Sequence, residues 1–350
     1  MRAARFYKAK DVRVEEIDVP ELGNTDVKIK VAWAGICGSD LHEYNAGPMT
    51  IPGETPDPLT GKTAPITMGH EFSGVVEEIG TDVTKVKVGD KVTVNPLIVS
   101  EKHNKKLVDM YQGFQFIGLG ADGGFADYVV TDQKYTVSMA PSVSLDVAAL
   151  TEPMAVAMQA IRESEMEFGD TVAIFGAGPI GLANVIAARA AGAKDIFVFD
   201  LSEPRLKKAL EIGASYAVNS GETDPATFIK QFYPYGVDRT FEVAGVKPTF
   251  DQSIQVTRPR GMVTVVSIFE KAFEFNPMVL TASGVRISSS LAYEDDIFEL
   301  TVKMIESGQI DPSPLITEHI ELEDIVQEGF EKLQTDKTQA KILVKLSGDK

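Results

Sequence analysis

A single cysteine, Cys37, is the only thiol in this chain. One thiol excludes an intramolecular disulfide and a zinc site built on four cysteines, and it fits a reducing compartment. Cations are also scarce: 34 Lys and Arg stand against 51 Asp and Glu, a formal net charge of -17. That excess repels phosphate backbones, so nucleic acid is not expected as a partner. No run approaches the ~18 uncharged apolar residues of a membrane span. The opening Met1-Arg2-Ala3-Ala4-Arg5-Phe6 passes straight into strand-like sequence without a signal-peptide core. No membrane partner is expected, and the expected location is the cytoplasm.

What is present points to a folded protein of about two domains, with 350 residues and 44% hydrophobic content. Up to about residue 145 the chain reads as short strands and turns. Residues 27–31 and 91–94 alternate with period two. Pro48, Pro52, Gly53, Pro56, Pro58, Gly61 and Pro65 crowd one stretch, which predicts a long loop of the kind that often carries function. Residues 147–161 are nearly all apolar and suit a buried helix, with Pro153 either kinking it or following a boundary. From there strands and helices alternate: strands at 171–175, 195–200, 237–243 and 261–266, with helices at 179–191 and 203–212. This grammar predicts an α/β fold with a doubly wound parallel sheet. A helix at 298–307 and a strand at 340–344 are expected to complete the first domain, making it discontinuous.

The second half carries Gly176-Ala177-Gly178-Pro179-Ile180-Gly181 after a strand and before an Ala-rich helix. Such a turn brings backbone amides and a helix N-terminus to a pyrophosphate. Asp200 ends the next strand, at the spacing of the acid that accepts from the adenosine ribose. A carboxylate there opposes a 2′-phosphate, so NAD is expected over NADP. Arg205 is a candidate for the adenine or a phosphate.

The first half holds a second constellation. Cys37 and His42 lie in one short run, and Gly69-His70-Glu71 follows some thirty residues later. Glu152 is the only charge between Asp146 and Arg162, and a carboxylate in an apolar segment needs a cation, a metal or a dedicated donor. Thiolate, imidazole and carboxylates together suit an open, catalytic zinc. His103 and His319 sit in a Lys-rich and an acidic stretch and read as solvated.

GICGSDLHEY (35–44), TMGHEFSGVVEEIG (67–80), GGFADYV (123–129), TEP (151–153) and GAGPIG (176–181) occur in one order. On these motifs the whole chain resembles the zinc-dependent medium-chain alcohol and polyol dehydrogenases. HEY followed by Gly47-Pro48, and the 56–71 segment, resemble the bacterial butanediol branch of that family. The resemblance implies a GroES-like catalytic domain from residues 1–150 and 291–350, and a Rossmann domain at 151–290. It implies zinc ligands Cys37, His70 and Glu152, with Glu71 bound directly or through water, and a proton relay through Ser39 and His42. Cofactor contacts would come from Gly176, Gly178, Pro179, Ile180, Gly181, Asp200 and Arg205. Many relatives carry four cysteines for a structural zinc, but residues 95–120 contain none, so one zinc is expected.

The implied reaction is hydride transfer between NAD(H) and a vicinal diol/α-hydroxyketone pair such as 2,3-butanediol and acetoin. Rival readings are a sorbitol-like polyol dehydrogenase, an L-threonine dehydrogenase, or a non-catalytic NAD-binding protein. A homodimer or homotetramer is implied, and residues 285–291 are the candidate pairing strand.

Overall fold

The computed structural model describes residues 1–100 and 110–348, so His103 and part of the cysteine-free stretch lie outside the described residues. The chain divides into two compact units. Unit 1 comprises Met1–Glu152, Glu294–Gly308 and Ile316–Lys350, and unit 2 comprises Pro153–Tyr293 and Gln309–Leu315.

Unit 1 is β-rich. Its larger sheet runs in the order Thr136–Ser138, Lys91–Val94, Glu71–Ile79, Asp26–Gly35, Lys341–Lys345 and Ile316–Glu321, and Tyr128–Asp132 also pairs with Asp26–Gly35. Period-two alternation explains the central strand, where Val27, Ile29 and Val31 are fully buried while Lys28 and Lys30 point away from the core. The C-terminal strand inserts antiparallel to Asp26–Gly35 and parallel to Ile316–Glu321. Phe6, Phe72, Phe125 and Phe330 anchor the core that these strands enclose. Leu97–Val99 and Phe114–Phe116 form a separate two-stranded sheet.

Unit 2 is a six-stranded parallel sheet in the order Tyr216–Asn219, Ile196–Asp200, Val172–Phe175, Val237–Glu242, Thr257–Val265 and Arg286–Ser289. Val172–Phe175 is buried at every position, as expected of a strand covered on both faces. The strand order reverses direction between Val172–Phe175 and Val237–Glu242, the point where such sheets bind ligands beyond their carboxyl ends. Arg286–Ser289 lies at the edge and is mostly exposed.

Of the two alternatives for the apolar 147–161 stretch, Pro153 follows a boundary: Leu145–Ala149 ends at Leu150, and Thr151–Glu163 starts afresh with Pro153 in its first turn, where a missing N–H costs nothing. One expectation needs correction. The strand expected at 261–266 begins at Thr257, running through Pro259 and the left-handed Arg260 (φ 67).

Candidate metal and cofactor sites

Cys37 caps the N-terminus of the Gly38–Ala46 helix. Its sulfur accepts from the backbone of Asp40, while the Asp40 carboxylate accepts from the Cys37 N–H at 2.9 Å. This reciprocal cap fixes the thiol at a helix N-terminus, where the macrodipole favours negative charge. His70 follows Gly69, which has φ +96 and where a Cβ would lie 2.8 Å from Phe125. Glu71 opens the next strand opposite Gly35, where a Cβ would come within 2.2 Å of a Glu71 carboxylate oxygen. Both glycines are therefore set by close approach.

Ligand atoms of Cys37, His70 and Glu71 lie within 4.8 Å of one another. His70 places Nε2 3.2 Å from the Ser39 hydroxyl and Nδ1 3.6 Å from Asp40 Oδ1. Lys341 donates to both Glu71 oxygens at 2.7 Å and to the Ile36 carbonyl at 3.1 Å. Asp40, His70, Glu71, Glu152 and Lys341 are all buried. Glu152 is not one of the three converging groups. Its charge acts on His70 and Lys341 from farther off.

Burial pushes the Asp40 carboxyl up to about 6, against the opposing pull of His70 and the Cys37 N–H. Burial also disfavours the His70 imidazolium, but the negative charges of Asp40, Cys37 and Glu152 outweigh it and raise His70 well above its ordinary value. Lys341 is likewise raised, because Glu71, Cys37 and Glu152 overcome its desolvation.

These residues fit a zinc ion. A thiol, an imidazole and a carboxylate converge, and the sulfur selects against the hard cations that take oxygen alone. His70 Nδ1 and Asp40 Oδ1 are buried without a hydrogen-bond partner. A metal on the other ring nitrogen would fix the Nδ1–H tautomer that faces a carboxylate, a pairing usual for ligating histidines.

In unit 2, Gly176 adopts φ +105, and a Cβ at Gly181 would lie 1.9 Å from the Gly176 carbonyl. Gly178 caps the Pro179–Ala190 helix, and a Cβ there would meet nothing within 4 Å, so its backbone stays approachable. The first helical residues are Pro179 and Ile180. Asp200 accepts from the Ala177 N–H at 2.6 Å and the Ser202 N–H at 2.8 Å, which brings its carboxylate to the glycine turn. Arg205, near the start of Glu203–Glu211, has a buried Nε without a hydrogen-bond partner.

The structure thus gathers Cys37, Ser39, His70 and Glu71 in one cluster and Gly176, Gly178, Gly181 and Asp200 in another. His42 lies on the same helix as Ser39. His319 is partly exposed, with its ring 4.5 Å from Trp33 and 3.9 Å from Asp146. Sequence reasoning missed Asp40 and Lys341. Asp40 had a signal, its place three residues after the capping Cys37.

A β-rich unit with a thiol–imidazole–carboxylate cluster, joined in one chain to a dinucleotide-type sheet, defines a metal-dependent dehydrogenase. Residues 23–141 match the alcohol dehydrogenase GroES-like domain, and residues 179–307 match the zinc-binding dehydrogenase family. The chain is 42% identical to (R,R)-butanediol dehydrogenase of Bacillus subtilis over 99% of both chains. It is 30% identical to sorbitol dehydrogenase of the same organism over 98% of this chain and 97% of that one. The crystal structure of the Bacillus subtilis 2R,3R-butanediol dehydrogenase superimposes with a TM-score of 0.93, covering 98% of this chain and 99% of that one. The chain belongs to the zinc-dependent medium-chain alcohol dehydrogenases, enzymes that use zinc and a nicotinamide cofactor on a small-molecule substrate. Among the described residues no helix is long and apolar enough to cross a membrane.

Proposed function

We propose that this enzyme interconverts a vicinal diol and its α-hydroxyketone, (R,R)-2,3-butanediol and acetoin, with NAD as cofactor and one catalytic zinc. The full-length similarity to butanediol dehydrogenase, well above that to sorbitol dehydrogenase, carries the choice of substrate. Cys37, His70 and Glu152 would hold the metal. Glu71 takes an adjustable place beside them, because both of its oxygens already pair with Lys341.

Zinc, when bound, supplies Lewis-acid polarisation of the substrate oxygen. The remaining chemistry belongs to the chain. Ser39, whose own hydroxyl lies 3.2 Å from His70 Nε2, would accept the alcohol proton. His42 takes it onward, since residues three apart on a helix share a face. Asp40 Oδ1 faces the other nitrogen of His70 at 3.6 Å and would orient the ring once Nδ1 carries the proton. The glycine turn at 176–181 would hold the pyrophosphate of the cofactor, whose nicotinamide ring would supply the hydride chemistry. Asp200 would accept from the ribose hydroxyls and oppose a 2′-phosphate. The exposed edge strand Arg286–Ser289 offers unpaired backbone groups to a second copy, which supports a homodimer or homotetramer.

The test is NAD reduction with 2,3-butanediol stereoisomers, sorbitol and threonine, with zinc measured on the same sample. Turnover highest on (R,R)-2,3-butanediol with about one zinc per chain is expected. Faster turnover of sorbitol or threonine would replace the substrate assignment.

A further inference from the structure

Glu242 is a buried carboxylate that the chemistry above does not use. It ends the Val237–Glu242 strand and is fully buried. One oxygen accepts from the backbone N–H groups of Ala244 and Gly245, each at 3.0 Å, and from the Thr249 hydroxyl at 2.6 Å. The other accepts from the Ser267 hydroxyl. The Glu242 carbonyl also accepts from the Val266 and Ser267 N–H groups, at 3.0 and 3.3 Å.

All four donors to the carboxylate are neutral. Burying an ionised carboxylate without a cation is costly unless donors converge on it. Here they come from three places: the turn after the Val237–Glu242 strand, the first turn of the Lys247–Val256 helix, and the exit of the Thr257–Val265 strand. One side chain therefore ties together the exits of two neighbouring strands.

The tied segment touches the glycine turn. A Cβ at Gly176 would lie 3.1 Å from the Val243 carbonyl carbon and 3.2 Å from the Ala244 nitrogen, whose proton goes to Glu242. Gly245, at φ +72, sits where a Cβ would meet the Ile268 carbonyl at 2.6 Å. Glu242 pairs in register with Phe175, the residue before Gly176. It thus stands beside the point where the strand order reverses, where dinucleotides bind in such sheets.

We infer that Glu242 is a positioning residue for the nicotinamide cofactor. Its carboxylate holds the 243–249 segment and Ser267 against the glycine turn, so this part of the cofactor crevice is formed before the cofactor arrives. Preorganisation of this kind adds affinity by removing the cost of ordering a loop on binding. The inference rests on the nicotinamide reading of unit 2 and is independent of which diol is oxidised.

The test compares Glu242→Ala and Glu242→Gln in the full-length, zinc-loaded enzyme. NADH affinity is read by fluorescence titration, folding by circular dichroism, and kinetics with NAD and diol varied separately. Glu242→Ala should weaken NADH binding and raise the KM for NAD by about tenfold, with kcat, diol KM and zinc content within about twofold. Glu242→Gln should return within about twofold of wild type, because its oxygen accepts from the same three donors and its amide can donate to the Ser267 oxygen. A folded Glu242→Ala enzyme with unchanged NADH affinity, or a Gln variant as impaired as Ala, would overturn the inference. Should Glu242→Ala not fold, the double variant Thr249→Val/Ser267→Ala removes two donors and leaves the carboxylate. It should weaken NADH binding by about threefold, and unchanged affinity would overturn the inference equally. A wild-type enzyme that fails to bind NADH would instead sink the cofactor assignment.

Discussion

Lys341 Nζ lies 2.7 Å from both carboxylate oxygens of Glu71, and neither side chain reaches solvent. Glu71 is also one of the three residues, with Cys37 and His70, whose ligand atoms converge. The pair's partners are 270 residues apart in sequence, so the Lys341–Lys345 strand supplies the counter-charge for the first residue of the Glu71–Ile79 strand. Breaking such a pair on one side leaves an uncompensated buried charge. Lys341→Met should therefore destabilise the protein by about 3 kcal/mol in denaturant unfolding. Adding Glu71→Gln to that variant should recover more than half of the loss. Strictly additive losses in this double-mutant cycle would show that the two side chains are not coupled.

Metal removal separates chemistry from folding. Dialysis against a strong zinc chelator should abolish diol oxidation while NADH titration and circular dichroism remain close to wild type, because the 176–181 turn and its sheet belong to a unit with its own core. Activity that persists with no detectable metal would rule out the zinc assignment. In the metal-loaded enzyme, His42→Ala should slow turnover most on the acid side of neutrality, where the alcohol proton is hardest to lose. An unchanged pH–rate profile would remove His42 from the relay.

Acid should loosen unit 2 through Asp238. This carboxylate accepts from the Thr171 N–H and hydroxyl at 2.8 and 2.6 Å and from Arg258 at 2.6 Å. Burial alone would raise its pKa, but these donors outweigh it and hold the group below the usual carboxylate range. A carboxyl depressed in the folded state stabilises above its unfolded pKa, about 3.9. That stability is lost as pH falls through the folded value. Asp238→Asn should cost about 1 kcal/mol near neutrality, allowing for partial exposure. Calorimetry from neutral to acid pH should then find the gap closing below about pH 4. A gap that stays constant with pH would locate the stabilisation elsewhere.

Much of this site is legible in sequence because its chemistry is written at short spacing. Cys37 and His70 declare themselves by residue type, and Gly176, Gly178 and Gly181 by their place between a strand and a helix. Lys341 is not legible, since a lysine opening an apolar strand reads as a solvated edge until the fold sets it against Glu71. The rank of Glu152 is hidden for a related reason. Its isolation in an apolar segment marks it as buried, but sequence does not show that Glu71 converges with Cys37 and His70 while both of its oxygens pair with Lys341, the arrangement that leaves Glu152 as the proposed third ligand. Pro153 left open whether the 147–161 stretch bends or starts anew, and the structure starts a fresh helix at Thr151. The strand Tyr216–Asn219 escaped notice because it is short, lies at the sheet edge and is only half buried.

Cofactor choice rests on Asp200. Its two oxygens accept from Ala177 and Ser202, so the carboxylate is fixed at the glycine turn, where it offers acceptors and no donor. Ribose hydroxyls can donate to it, whereas a 2′-phosphate brings at least one negative charge against another in a half-buried site. Arg205 lies a few residues on with a buried Nε that lacks a hydrogen-bond partner. Its charge would favour a phosphate once the carboxylate is gone. Asp200→Ser should therefore lower kcat/KM for NAD by about tenfold and raise that for NADP by a comparable factor. Asp200→Ser/Arg205→Ala should lose the gain with NADP while keeping the loss with NAD. Steady-state kinetics with both cofactors at fixed diol decide the matter: an NAD preference that survives Asp200→Ser would place cofactor selection on other residues.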